Sequence, residues 1–170
     1  MGQPDDIFDV VDEQDQVIGS APRSEVHGKG LRHRAIHVFV FNQKGEILLQ
    51  LRSANKDKHP RTWDTSCAGH VDSGETYQNA AVREMGEELG LSPCPPLEEM
   101  GKCAACEQTG QEFVTVYRTR CEGPFLFCEE EIDDVRWISV PAMEREFQQV
   151  PDTYAPALPY LWKQFRDTLR

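Results

Sequence analysis

The chain has 170 residues, 39% hydrophobic and 28% charged, which suits one domain with its own core. Its net charge of −11, with no Lys/Arg run longer than two, argues against a nucleic-acid polymer as partner. There is no apolar run of roughly 18 residues, and the start, MGQPDDIFDVVDEQ, lacks a basic-then-apolar leader pattern, so no membrane partner and a cytoplasmic location are expected.

In chain order, Ile7–Val11 and Gln16–Ala21 read as short strands around a polar turn, and residues 1–30 as a β extension. Ala35–Phe41 and Glu46–Arg52 read as a hairpin turning at Asn42–Gly45. A polar loop, Ser53–Arg61, leads into the first convincing helix, Thr76–Leu89. Two more β-rich runs follow, Met100–Cys106 and Glu112–Arg120, then a short strand, Val135–Ser139, and a short helix, Val140–Phe147. In the tail, Leu158, Leu161, Trp162, Phe165 and Leu169 recur at helical spacing, so an amphipathic helix within residues 157–169 should dock on the body. Strands, helix, strands, helix make an α/β protein with a mixed sheet covered on both faces. The six cysteines are expected as free thiols, because Cys103-Ala-Ala-Cys106 lacks the second pair that a zinc ribbon needs.

The helix holds a puzzle. Glu84, Glu87 and Glu88 fall within five residues, and like charges at such spacing destabilise an isolated helix by roughly 0.2–0.5 kcal/mol per pair. With Tyr77 at zero and about 100° per residue, Ala81, Val82, Met85 and Leu89 form the apolar stripe at roughly 40° to 140°. Glu88 lies near about 20°, Glu84 near about 340° and Glu87 near about 280°, a stripe bordering the core rather than opposing it. Adjacent shielded carboxylates must protonate or share a cation. Oxygen donors of this kind suit Mg²⁺ or Mn²⁺, which keep waters and bind substrate phosphates.

The stretch Gly69–Leu91, GHVDSGETYQNAAVREMGEELGL, satisfies G-x5-E-x7-R-E-(apolar)-x-E-E-x-G-(apolar) at every position. It resembles the signature of the Nudix pyrophosphohydrolases. The resemblance implies a single Nudix domain over 1–170, an α/β/α sandwich with a mixed β-sheet. It implies metal-dependent cleavage of a diphosphate linkage, in a small substrate of the nucleoside diphosphate-X type, by water attack on phosphorus. Glu84 and Glu88 would be the main metal ligands, helped by Glu87 and the Gly69 carbonyl. Arg83 would pair with Glu75 and orient the acids. The general base would be Glu84, or one of Glu129, Glu130 and Glu131 on a distant loop. A homodimer stays open. Tyr117, Phe125, Phe127 and Tyr154 are the aromatic residues offered for stacking on a base.

A second resemblance lies inside that superfamily. LRHRAIHVFVFNQKGEILLQLRS, Pro60, Trp63 and Gly69-His70 are similar to type 1 isopentenyl-diphosphate isomerases. That likeness implies a second metal site at His27, His33, His70 and Glu112, and diphosphate contacts from Arg23, Arg52 and Lys56. A purely structural reading instead places His33 and His37 at a strand entry and lets His70 bond a loop. The isomerase needs a cysteine directly before Gly-His. Ala68 stands there, and Cys67, one residue earlier on a strand, should point to the other face. Isomerase activity is therefore the disfavoured alternative.

Overall fold

The computed structural model describes residues 6–169. Residues 1–5 and Arg170 of the expected domain lie outside the described residues.

The chain opens with an antiparallel hairpin, β1 (Ile7–Val11) and β2 (Val17–Pro22). The sequence assigned only strands to this extension, but α1 (Arg23–Lys29) follows directly. It is one short helix with a single buried side chain, Val26, and no side-chain N-cap, so it carries no apolar period to read.

β3 (His33–Phe41) and β4 (Ile47–Arg52) are the expected central pair. Asn42 builds their turn. Its Oδ1 accepts from Lys44 N at 3.0 Å and Glu46 N at 2.9 Å, and Gly45 takes a positive φ of 77°. Past the turn the two strands part. β3 joins β8 (Glu112–Arg120) in parallel and β6 (Cys67–His70) in antiparallel, while β4 joins β5 (Trp63–Asp64) and β9 (Ile132–Ile138). β7 (Glu98–Cys103) closes the β8 edge, giving a seven-stranded mixed sheet.

Alternation along β3 fills two cores. Ala35, Phe39 and Phe41 face one layer with Met143, Leu158, Leu161 and Trp162, from α3 (Val140–Gln149) and α4 (Ala157–Leu169). Ile36, Val38 and Val40 face the other with Cys67, Ala80, Ala81, Met85 and Leu89. The last four belong to α2 (Tyr77–Leu89). The result is the expected α/β/α sandwich.

Both ends of α2 follow the sequence. Thr76 accepts from Asn79 N at 3.1 Å, and Gly90 stops the helix at a φ of 68°. The expected stripe needs one correction: Val82 is 41% exposed, and Ala80 packs inward instead. Glu84 and Glu88 go further in than a bordering stripe, each only 4% exposed. All six cysteines are free thiols. No helix among the described residues is long and apolar enough to cross a membrane.

Candidate active site

The inner end of α2 meets β6 so closely that one position must be glycine. A Cβ on Gly69 would lie 2.2 Å from Glu84 Cδ. The neighbouring backbone holds the second acid: Ala68 N donates to Glu88 Oε1 at 2.9 Å. Burial, and next the charge of Glu88, push the Glu84 carboxyl up to about 7. Two buried acids in this state form a pair that a hard cation would relieve.

Arg83 braces the wall. Its Nε and Nη2 donate to the two oxygens of Glu75, each at 2.9 Å, its Nη1 to Glu84 at 2.8 Å, and its Nη2 also to the His70 carbonyl at 3.0 Å. The hydrogen bonds to Glu75 are the main reason its guanidinium holds its proton more tightly than usual. Glu87 stands apart. Its side chain is 42% exposed, lies 3.4 Å from Arg83 Nη1 and does not line the cleft.

Arg23, Arg52, Lys56 and Lys58 line the same cleft. Arg52 is tied to Asp64 at 3.3 Å and to the Lys58 carbonyl. Lys56 pairs with Glu131, and burial draws its ammonium below the ordinary lysine range. Of the three loop acids, Glu131 alone is buried and lines the cleft; Glu129 and Glu130 are exposed.

Strand register assembles the histidine cluster. β3 sets His33 opposite Glu112 on β8 and Ala35 opposite His70 on β6, and α1 adds His27. The ligand atoms of His27, His33, His70 and Glu112 all lie within 4.8 Å of one another. His33 Nδ1 lies 2.9 Å from the Leu31 carbonyl, which can only accept, so the proton sits on Nδ1 and the Nε2 lone pair is free. That Nε2 is buried 3.3 Å from Glu112 Oε1 and makes no hydrogen bond, an orphan that an ion would satisfy. Burial, and next the charge of His70, lower the His27 imidazole to about 4, leaving it neutral and able to ligate at pH 7. Phe8 of β1, fully buried, stacks 4.6 Å from the His70 ring and 5.8 Å from His33, so the N-terminal hairpin roofs the cluster. Three imidazoles and one carboxylate suit a transition ion better than Mg²⁺.

Cys67 is fully buried among Ile36, Val38 and Met85, on the α2 side of the sheet, whereas Ala68 lines the cleft. Tyr117 and Tyr154 are core residues, Phe125 and Phe127 pack against the α2 layer, and none of the four lines the cleft. Sequence reasoning gave no role to Lys58 or Asp64 and placed His37 at a strand entry; all three line the cleft, His37 from the middle of β3. Strand pairing brings His37 and Asp64 there and the loop after β4 brings Lys58, so no spacing signal could have found them.

A NUDIX domain model matches residues 31–161, and the chain belongs to the Nudix family. It is 38% identical over 130 residues to an uncharacterised Nudix hydrolase of Yersinia pestis, covering 76% of this chain and 71% of the relative. It is 34% identical over 155 residues to an isopentenyl-diphosphate delta-isomerase of Photorhabdus laumondii, covering 88% and 86%. In fold it is similar to a crystal structure from Deinococcus radiodurans, with a TM-score of 0.79 and 27% identity over 96% of this chain and 99% of that one. Membership makes the protein a pyrophosphohydrolase of the Nudix type, a family that works with divalent metal ions.

Proposed function

We propose that the protein hydrolyses a diphosphate linkage in a small organic diphosphate, with Glu84 and Glu88 holding Mg²⁺ or Mn²⁺, assisted by the Gly69 carbonyl, while Glu87, outside the cleft, acts through Arg83. The observation that carries this is the fit at Gly69: any side chain there would evict Glu84, so the backbone is shaped around the acid. When bound, the ion neutralises phosphate oxygens and lowers the pKa of a coordinated water. The chain's own residues do the rest. Arg83 keeps the acids aimed into the cleft. Arg52 and Lys56, with Arg23, take the diphosphate charge in the same cleft. Water oxygen bonds to phosphorus, the bridging P–O bond breaks, and the water proton goes to a carboxylate. Glu131 is our choice of base, because Glu84 and Glu88 are committed to the ion, Asp64 is tied to Arg52, and Glu131 is the buried, cleft-lining acid of the three loop candidates.

The test is cleavage of a panel of organic diphosphates with Mg²⁺ or Mn²⁺, read by chromatographic separation of the phosphoryl products. Turnover that is lost in Glu131→Gln, while metal affinity stays, supports the assignment. No turnover above a chelated blank would remove the hydrolase reading for these residues.

The histidine cluster favours one further statement. We infer that His27, His33, His70 and Glu112 hold a second, softer ion. The orphaned His33 Nε2 supports it, and the test is metal content after growth in defined medium, in wild type and in His33→Ala. Isomerisation remains the disfavoured reading, because proton transfer at carbon needs a positioned acid where Ala68 stands, and Cys67 lies behind the sheet.

A further inference from the structure

Residues 33, 35 and 37 of β3 share one face of the strand, about 13 Å from end to end at strand rise, and Ala35 and His37 on that face line the cleft. The histidine cluster occupies one end. His37, paired with Ala68 in strand register, occupies the other, beside Asp64 and the Ala155–Ala157 segment. Ala68 N is the donor to Glu88, so a diphosphate held by the acids would send its organic half over Ala68 to His37.

His37 is buried, and its Nδ1 lies 2.7 Å from Thr65 Oγ1. The Thr65 hydroxyl gives its one proton to the Cys67 carbonyl at 3.3 Å, so it accepts from His37 Nδ1–H. Asp64 Oδ1, 4.0 Å from Nδ1, favours the proton on that nitrogen. The ring then presents Nε2 to the cleft as a bare acceptor, with no hydrogen-bond partner among the described residues. The cleft has a second peculiarity: among the described residues no Phe, Tyr or Trp lines it, so a nucleobase would find only the smaller imidazole rings and guanidinium planes to stack on.

We propose that His37 is a specificity-determining residue whose Nε2 accepts a hydrogen bond from a hydroxyl on the substrate, and that the substrate is a diphosphate ester of a short, non-aromatic, hydroxylated alcohol. The inference rests on the diphosphate reading of the cleft. It goes beyond that reading by assigning the organic half to the His37 end. A site built around an acceptor discriminates strongly against an analogue lacking the donor, because Nε2 is then left unpaired.

Three probes test it with Mn²⁺: glyceryl diphosphate, propyl diphosphate and ADP-ribose, each assayed by chromatographic separation of the cleaved phosphoryl products. The proposal expects kcat/KM for the glyceryl ester to exceed the propyl ester by about tenfold or more, with ADP-ribose poorest. In His37→Phe, which keeps an apolar ring in the space, the glyceryl-over-propyl ratio should collapse to about one, mainly through KM. His37→Gln, whose amide oxygen stands near the lost Nε2, should recover part of it. An unchanged ratio in His37→Phe, or ADP-ribose as the best probe, overturns the proposal. If none of the three is hydrolysed, the hydrolase reading fails separately, and binding still decides the role of His37. In ¹⁵N-histidine-labelled protein with Mg²⁺, the His37 Nε2 resonance should move with the glyceryl ester and stay with the propyl ester. A resonance that ignores both overturns the proposal.

Discussion

The acidic wall and the histidine cluster are the two places proposed to hold ions, and they are built in opposite ways. The wall comes from one helix and the strand it rests on, within the 23 residues Gly69–Leu91. Its donors are oxygens, kept in register by helical spacing and by Arg83. The cluster draws its four donors from α1, β3, β6 and β8, and three of them meet only because β3 pairs with β6 and β8 in a given register. Its donors are mostly nitrogen, under the Phe8 roof. A local pattern can place a hard ion where substrate arrives; a soft site can be assembled from distant elements by sheet pairing.

The comparison breaks first at the acids. Glu84→Gln and Glu88→Gln should each lower kcat by about a hundredfold or more, while thermal unfolding shows the fold intact, since a clustered negative charge has been removed. Wild-type rates in both variants would move the catalytic ion to the histidines. Gly69→Ala probes the same wall through the backbone. A displaced Glu84 should cost about a hundredfold in kcat, with a stability loss of about 1–3 kcal/mol from overpacking, read by urea melts.

Next comes the softer site. His27→Ala and His70→Ala should weaken Zn²⁺ binding by about tenfold or more in calorimetry, while the acid variants leave that affinity in place. If the acid variants abolish Zn²⁺ binding instead, the two regions are one site.

The smallest effect concerns what holds the roof. Asp15, 7% exposed, ties the β1–β2 turn to the body through Arg34 Nε at 2.7 Å, Tyr77 OH at 2.8 Å and Lys102 Nζ at 2.5 Å. Burial alone would raise the Asp15 carboxyl; the bonds from Arg34, Lys102 and Tyr77 outweigh it and hold it below its ordinary 3.8. A depressed carboxyl contributes stability above its unfolded pKa and loses it as pH falls through the folded one. So Asp15→Asn should destabilise the protein at pH 7, by about 3 kcal/mol or less, with the gap to wild type narrowing below about pH 4. A constant gap down to pH 2 in urea melts would contradict that ion-pair account.

Legibility in the sequence follows the same division. The wall could be read because its residues recur on one helix whose cap, Thr76, and stop, Gly90, are themselves sequence signals. The central hairpin and the C-terminal stripe were legible through period and turn chemistry. β9 starts at Ile132 rather than Val135, because Asp133 and Asp134 hide a strand that ladders with β4. β7 runs over Glu98–Cys103 rather than Met100–Cys106, again with charged residues at its start. The histidine cluster was visible only through family likeness, and the Lys56–Glu131 pair joins loops 75 residues apart, a contact no local spacing encodes.

The central claim is that water attacks phosphorus on the acidic wall. Its most direct measurement is turnover of the diphosphate panel in H₂¹⁸O with Mg²⁺ or Mn²⁺, followed by mass analysis of the products. The account predicts metal-dependent release with one ¹⁸O in a phosphoryl product, lost in Glu84→Gln. Absence of label in any phosphoryl product, with deuterium exchanging from solvent into the carbon skeleton of isopentenyl diphosphate, would contradict it.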